Sequence, residues 1–365
     1  MGAIHMTDDF YMNFALQLAQ VAEGQTNPNP VVGAVIVKDQ EIVGFGAHLK
    51  AGTPHAEVNA LQMAGEKAFG STIYVTLEPC SHYGKTPPCA NALVKAGVKR
   101  VVVASLDPNP LVAGKGIGIL KKAGIEVTTG VLKEKAEQLN KVFFHFIQHE
   151  VPYVTLKQAI TLDGKLAAKT GDGEAITGIE VQHDVHQERE KNDAILVGIG
   201  TILKDNPSLT NRFGYTKKQP IRVILDTNLS ISHDAKVMTE DITPTWIFTG
   251  SNVSEERVKS LLQAHVEIIS LSKQTISIEE VLKELGKRKI MNLYVEGGSA
   301  INASFLKSGY VNQIITYIAP KIFGDDHAIP MIGDLDITRV KDAYPLEFKK
   351  VEMIGKDIKI TSVPK

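Results

Sequence analysis

The 365-residue sequence predicts two α/β domains in tandem, joined near residue 150. Three observations carry this reading. The length exceeds that of one typical domain. Short β-rich runs alternate with segments of helical periodicity through both halves. A fresh series of strand-like runs begins at "HEVPYVTLK" (149–157), with no low-complexity linker ahead of it. The expected domains are residues 1–150 and 151–365.

In the first half, Phe10 to Ala22 puts Phe10, Phe14 and Leu18 at helical spacing, with Ala15 and Ala22 beside them. "VVGAVIV" (31–37) and "EIVGFGAH" (41–48) read as strands of a hairpin joined by "KDQ". "HAEVNALQMAG" (55–65) reads as a helix, with Thr53-Pro54 as its cap and first-turn proline and Gly65 as its stop. Next come a strand at "TIYVTL" (72–77), a helix opening on proline at "PPCANALVKAG" (87–97) and a strand at "RVVVAS" (100–105). A helix around 114–123, a strand at "IEVTTG" and a helix around 133–147 complete the set. This βαβαβα order predicts parallel strand pairs with helices on both faces. The second half offers strands at "DAILVG" (193–198), "IRVILD" (221–226), "TWIFTG" (245–250), "VEIISL" (266–271), "MNLYVEGG" (291–298) and "QIITYIAP" (313–320), with helical patterns between several of them.

The formal net charge is −1, so no broad basic field is expected to grip nucleic acid. No run of eighteen apolar residues occurs, and no membrane span is expected. "MGAIHMTDDF" lacks the basic and apolar regions of a secretory signal. Residues 1–5, ahead of a second methionine at Met6, are left out of the fold reading. Two cysteines make no disulfide framework, and a cytoplasmic location is the expectation.

Both cysteines, Cys80 and Cys89, fall in "LEPCSHYGKTPPCANAL", each directly after a proline and downstream of the His55-Ala56-Glu57 triplet. An imidazole and two thiolates are ligands that zinc prefers, and three protein ligands leave a fourth tetrahedral position for water. Such a water has a pKa lowered to about 7. Glu57, not itself a ligand, would carry the proton. Pro79-Cys80 and Pro88-Cys89 each read as the entry to a helix or turn, where free N–H groups favour a thiolate. His55 is expected in a first helical turn. Residues two apart on a helix lie about 200° apart, so His55 and Glu57 share a site only if that helix points end-on at the metal. Taken singly, the thiols read as buried apolar groups or a disulfide, and His55 as a surface histidine. Taken jointly, the order of residues favours zinc. H-x-E followed by P-C-x-x-C marks zinc deaminases; here eight residues separate the cysteines.

The second half has no complete G-x-G-x-x-G. "VGIGTILKDNP" supplies Gly198 and Gly200, with Leu203 where a third glycine would fall. Glu296-Gly297-Gly298 follows a strand and precedes a helix, a better place for close backbone approach to a phosphate. On the residues alone, both read equally well as tight strand-to-helix turns.

"NPNPVVGAVIV", "HAE", "PCSHYGKTPPC" and "DPNPLVAGKG" together closely resemble the deaminase half of bifunctional riboflavin-biosynthesis deaminase/reductases. "VTLKQAITLDGK", "ILVGIGTILKDNPSLTNR", "RVILD" and "YVEGGS" resemble the reductase half. The resemblance implies a cytidine-deaminase-like α/β/α sandwich followed by an α/β domain similar to dihydrofolate reductase. It implies zinc-dependent hydrolytic deamination of 2,5-diamino-6-(5-phosphoribosylamino)pyrimidin-4-one, then NADPH-dependent reduction of the ribosyl unit to ribityl. Carried over by motif, His55, Cys80 and Cys89 hold zinc and Glu57 is the proton shuttle. Asn29, His48 and Lys85 contact substrate, the Lys85 charge suiting a ribose phosphate. The long spacer between the cysteines is expected to form a wall that reads the sugar-phosphate. In the second half Lys157, Thr201, Asp205, Gly297, Gly298 and Ser299 touch NADPH, with Lys157 and Asp205 near the transferred hydride. Arg189, Arg212 and Glu296 touch substrate. The pattern departs at Ala175, where related sequences commonly carry tryptophan, which implies the loss of an aromatic cofactor contact; the sole tryptophan, Trp246, lies elsewhere. The partners implied are small phosphoribosylated pyrimidines, with neither nucleic acid nor membrane, and a homo-oligomer is expected. Two other readings compete. One is a zinc deaminase of other bases, nucleosides or RNA with a non-catalytic C-terminal half; the long cysteine spacing and neutral charge speak against it. The other is a binding module with a structural zinc, which would need a fourth protein ligand.

Overall fold

Successive residues on the first strands point to opposite sides, and apolar side chains lie on both, so helices must cover two faces. The computed structural model describes residues 6–81, 88–109, 113–168, 174–213 and 218–365. The chain divides into two units, Met1–Glu150 and Val151–Lys365.

The first unit runs α1 (Asp8–Gln20), β1 (Gly33–Lys38), β2 (Glu41–Ala47), α2 (Ala56–Ala64), β3 (Thr72–Leu77), α3 (Cys89–Ala96), β4 (Arg100–Ser105), α4 (Lys115–Lys122), β5 (Glu126–Thr129), α5 (Lys133–Leu139) and α6 (Lys141–His149). Its sheet has the order β2-β1-β3-β4-β5. The β1 strand is antiparallel to β2 and β3, whereas β3, β4 and β5 are parallel. Asp39 and Gln40 close the β1–β2 hairpin with φ of 49° and 68°, as a two-residue turn of twist-matched hand requires. Ala34, Ile36, Ile73, Val75, Val101 and Val103 pack under α2, α3 and α4. Their neighbours Val35, Val37, Tyr74, Val102 and Ala104 pack under α1 and α5. The result is an α/β/α sandwich. The expected helix over 133–147 is two helices. Asn140 interrupts it, and its buried amide exchanges two hydrogen bonds of 2.9 Å with the backbone of Val31.

The second unit comprises β6 (Tyr153–Thr161), β7 (Lys165–Ala167), α7 (Ile179–Lys191), β8 (Ala194–Gly198), α8 (Ile199–Asp205), β9 (Ile221–Leu225), α9 (Lys236–Thr239), β10 (Thr245–Thr249) and α10 (Glu255–Leu261). It continues with β11 (Val266–Ser270), α11 (Ile278–Lys287), β12 (Asn292–Val295), α12 (Ser299–Ser308), β13 (Val311–Ala319), β14 (Ile329–Pro330), β15 (Leu346–Ile354) and β16 (Asp357–Pro364). A sheet of order β11-β10-β9-β8-β12-β6-β13-β16-β15 forms its centre. Strands β11 through β13 in that order are parallel. The β16 and β15 strands add an antiparallel edge. Helices α11 and α12 cover one face, and α7, α8, α9 and α10 the other.

The β15–β16 hairpin was absent from the sequence expectation for a physical reason. Its register shifts between Phe348 and Lys350, so the apolar alternation changes phase mid-strand. Lys359 on β16 points inward, where it meets Asp184 at 2.7 Å and Glu188 at 3.2 Å. Among the described residues no helix is long and apolar enough to cross a membrane.

Helix α1 lies directly on the backbone of β1. A Cβ built on Gly33 would sit 2.0 Å from the Ala15 carbonyl oxygen. Gly33→Ala is expected to lower stability by about 3 kcal/mol through overpacking, read as a drop in the denaturant midpoint of the first unit's transition.

Candidate functional sites

The group that could hold a metal in the first unit forms where three segments meet at the ends of secondary-structure elements. β3 ends at Leu77, and Glu78-Pro79-Cys80 continue as irregular backbone. Cys80 itself is in no helix, and residues 82–87 after it lie outside the described residues; Cys89 opens α3 after its cap Pro88, as the reading of Pro88-Cys89 expects. His55 is likewise not in a helical turn. It is the N-cap of α2, with extended φ and ψ of −72° and 163°, and it displaces Thr53-Pro54 from the predicted capping role. This answers the angular problem posed by His55 and Glu57. The extended cap residue points its ring past the helix end, and Glu57 sits in the first turn behind it.

His55 Nδ1 lies 3.6 Å from Cys80 Sγ and 3.3 Å from Cys89 Sγ. One ligand atom from each of the three residues falls within 4.8 Å of the others. A tetrahedral ion with Zn–S and Zn–N bonds of ordinary length separates a nitrogen from a sulfur by about 3.6 Å. The triad fits zinc both in donor type and in span. Cys80 and Cys89 are free thiols, which removes the disulfide reading. A hydrogen bond from Cys89, reinforced by His55 and the Cys89 backbone N–H, lowers the Cys80 thiol pKa despite its burial. Glu57 is 3% exposed, and burial raises its carboxyl to about 7.

His48 stands beside the triad, its ring centroid 5.2 Å from that of His55. Its Nδ1 is 3.2 Å from the Pro54 carbonyl and its Nε2 is 3.0 Å from Asn29 Nδ2. A carbonyl can only accept, so Nδ1 carries the proton and bare Nε2 accepts from the Asn29 amide. Burial, with a smaller push from His55, lowers the His48 pKa and keeps the ring neutral. Asn29 is thereby oriented with its Oδ1 left to accept from a ligand. Lys85 and the wall expected between the cysteines lie outside the described residues.

The second unit holds a cleft of about 940 Å³ at the C-terminal ends of its parallel strands, the usual ligand position in such sheets. Lys157, Arg189, Thr201, Asp205, Glu296, Gly297, Gly298 and Ser299 all line it. Gly298 is the N-cap of α12. Arg212 does not line this cleft. It lies with Arg189, Asp205 and Lys236 in an adjoining depression of about 240 Å³. Its backbone N–H donates to His186 Nδ1 at 3.1 Å, and burial beside Arg189 and Arg212 lowers His186 to about 4. Neutral His186 thus acts as an acceptor that fixes the Arg212 loop.

Glu296 is the charge centre of the cleft. Arg189 grips it bidentately, Nε at 2.6 Å and Nη2 at 3.0 Å, and Lys157 Nζ stands 3.6 Å away. Burial alone would raise the Glu296 carboxyl, but Arg189 and Lys157 bring it down to about 2. Sequence reasoning missed Gln158, Asp226, Asn228, Ser230, Ile276 and Ile278 in the lining. The strand end at Leu225 gave a signal for Asp226, Asn228 and Ser230, because residues just past a parallel strand face the same crevice. Ala175 is exposed, and its carbonyl accepts from Lys321 Nζ at 3.5 Å; residues 169–173 beside it lie outside the described residues.

Comparison with known proteins bears on both sites. Residues 152–360 match the family model described as the RibD C-terminal domain, and residues 5–105 that of the cytidine and deoxycytidylate deaminase zinc-binding region. The chain is 49% identical over 358 residues to the riboflavin biosynthesis protein RibD of Bacillus amyloliquefaciens, covering 98% of this chain and 96% of that protein. It is 39% identical to the solved structure of Acinetobacter baumannii RibD, with a TM-score of 0.87 over 98% of this chain and 99% of that one. The Thermotoga maritima diaminohydroxyphosphoribosylaminopyrimidine deaminase/5-amino-6-(5-phosphoribosylamino)uracil reductase is 36% identical, with a TM-score of 0.88 and coverage of 98% and 99%.

Glu296→Gln leaves Arg189 and Lys157 buried without a counter-charge. The loss of stability at pH 7 is expected to be about 3 kcal/mol. Because the folded carboxyl titrates below its ordinary value, its contribution is complete above about pH 4.5 and fades as pH falls toward 2. Denaturant titrations of both proteins should therefore show the gap between them narrowing below pH 4.5.

Proposed function

The chain belongs to the RibD family of bifunctional riboflavin-biosynthesis deaminase/reductases, and from that premise we propose that each unit carries one of the two reactions. The first unit hydrolytically deaminates 2,5-diamino-6-(5-phosphoribosylamino)pyrimidin-4-one. The second then reduces the ribosyl group of the product to ribityl with NADPH. The observation that carries the reading is the His55–Cys80–Cys89 triad with buried Glu57 behind it.

In the deaminase unit His55, Cys80 and Cys89 hold zinc, which when bound supplies the Lewis acidity that activates water near neutral pH. Glu57 is buried, and a carboxyl that stands beside the metal ligands without binding the metal is placed to take and return a proton. Its role is to accept the proton of the attacking water and deliver it to the departing amine. Asn29, aimed by neutral His48, accepts from a donor on the substrate. Lys85 pairs with the phosphate in this reading.

In the reductase unit the cleft holds the nucleotide, which when bound supplies the hydride. Gly297 and Gly298 let backbone approach its phosphates ahead of α12, with Thr201, Asp205 and Ser299 beside them. Glu296 accepts hydrogen bonds from the ribosyl hydroxyls, and Lys157 and Arg189 hold it charged and oriented. Burial lowers the Lys157 pKa, with Glu296 opposing. Arg212, on the loop that His186 fixes, takes the substrate phosphate with Lys236 nearby.

The reading also includes action in the cytoplasm as a homo-oligomer. The outer edge of the long sheet supports association. On β15, Phe348 is 66% exposed, Val351 59% and Met353 63%, an apolar edge strand of the kind that pairs with another chain.

Two experiments check this. Glu57→Gln should retain zinc and lose ammonia release by at least about 100-fold, while NADPH oxidation with the deaminated intermediate persists. Unchanged ammonia release would reject Glu57 as the shuttle, and folded, zinc-loaded protein giving neither ammonia nor NADPH oxidation would reject the whole assignment. Separately, Phe348→Glu with Val351→Glu should lower the mass found by sedimentation equilibrium, and an unchanged mass would exclude this edge from the interface.

A further inference from the structure

The carboxylate of Glu78 has no part in the chemistry above, yet it is buried at 4% exposure two residues before Cys80. It accepts four backbone N–H groups, from Gly114 at 2.9 Å, Gly116 at 3.0 Å, Ile117 at 3.3 Å and Asp107 at 3.4 Å. Three of these belong to the start of α4, whose own cap, Gly114, offers no side chain. A helix is ordinarily capped by the adjacent Ser, Thr, Asp or Asn. Here the acceptor comes from 36 residues earlier in the chain. A local cap would satisfy the same donors without joining α4 to anything; Glu78 joins it to the segment that carries a metal ligand.

The joint is tight. A Cβ on Gly116 would lie 2.0 Å from the Pro79 carbonyl oxygen, so α4 rests on the backbone of the residue preceding Cys80. From the other side, the Cys80 carbonyl accepts from Ala90 N at 3.2 Å, and Cys80 Sγ accepts from Cys89 N at 3.2 Å. Cys80 is clamped between the first turns of α3 and α4. Glu78 holds the α4 jaw closed.

We propose that Glu78 is a positioning residue of the metal centre, setting the place of Cys80 Sγ through the contact of Gly116 with Pro79. This rests on the reading of His55, Cys80 and Cys89 as zinc ligands. Partners that orient metal ligands typically change metal affinity by about 10–100-fold when removed, and a loss in that range is expected for Glu78→Ala. Glu78→Gln keeps one acceptor oxygen and should fall between it and the parent. Gly116→Ala, which pushes α4 off Pro79, should shift affinity in the same direction.

The test uses the full chain. Zinc affinity is measured by competition with a chromophoric chelator, and the visible spectrum of the cobalt-substituted protein reports ligand geometry. Asp8→Ala serves as a control for plain loss of stability. Asp8 accepts a bidentate pair from Arg100 at 2.9 and 2.8 Å, remote in sequence from the ligands. The proposal expects weaker zinc and an altered cobalt spectrum in the Glu78 and Gly116 variants, with both unchanged in Asp8→Ala and with NADPH oxidation unchanged throughout. Glu78→Gln and Glu78→Ala binding zinc within twofold of the parent would overturn it, even with lowered melting temperatures. A parent protein that fails to bind zinc would overturn the ligand reading, and this proposal with it.

Discussion

Everything proposed for the first unit depends on three ligand atoms meeting within 4.8 Å from chain segments that share no secondary structure. One comes from the cap of α2, one from irregular backbone after β3, and one from the first turn of α3. Such a meeting needs elements whose ends converge. A parallel pair such as β3 and β4 supplies that, because each strand ends on the same edge and the following helix begins there. The side chains at that edge are therefore few, and their backbone is held on both sides. Cys80 shows the consequence, pinned by α3 and α4 rather than by any helix or strand of its own.

The second unit uses the corresponding edge of its own sheet for a different purpose. Its centre is a largely buried carboxylate with two cations around it. A buried pair is a weak source of net stability, since desolvation offsets most of the attraction. Its value lies in orientation. Arg189 is tied to Glu296 by two bonds and to the Thr210 carbonyl by a third at 3.0 Å, so helix α7, strand β12 and the loop before Arg212 share one fixed group. Beneath them, Tyr317 and Lys359 both donate to Asp184, which anchors α7 to the sheet.

Much of this was legible along the chain. β-rich runs such as "TIYVTL" and "RVVVAS" gave their strands because burial on both faces makes them uniformly apolar. The metal triad was legible because soft ligands are rare here and every cysteine falls in one motif. The illegible parts share a cause. The β15–β16 hairpin hid behind a bulge and an inward lysine, both of which invert the apolar pattern. The helix over 133–147 looked continuous because the break at Asn140 answers to the backbone of Val31, a partner 109 residues away. His55 was assigned to a helical turn because proline placement describes where a helix can begin, and the cap residue is chosen by what it must face.

By itself the sequence determined the class of both domains, and it singled out three residues of metal-binding type and the glycines that line the cleft. Those follow from local periodicity and from the chemistry that side-chain types permit. Tertiary structure alone decided which groups meet: Asn29 with His48, Glu296 with Arg189, and Glu78 with the start of α4. Those pairs join residues 19, 107 and 36 positions apart. Their encounter is set by the packing of sheets and helices, a long-range result that no local pattern encodes.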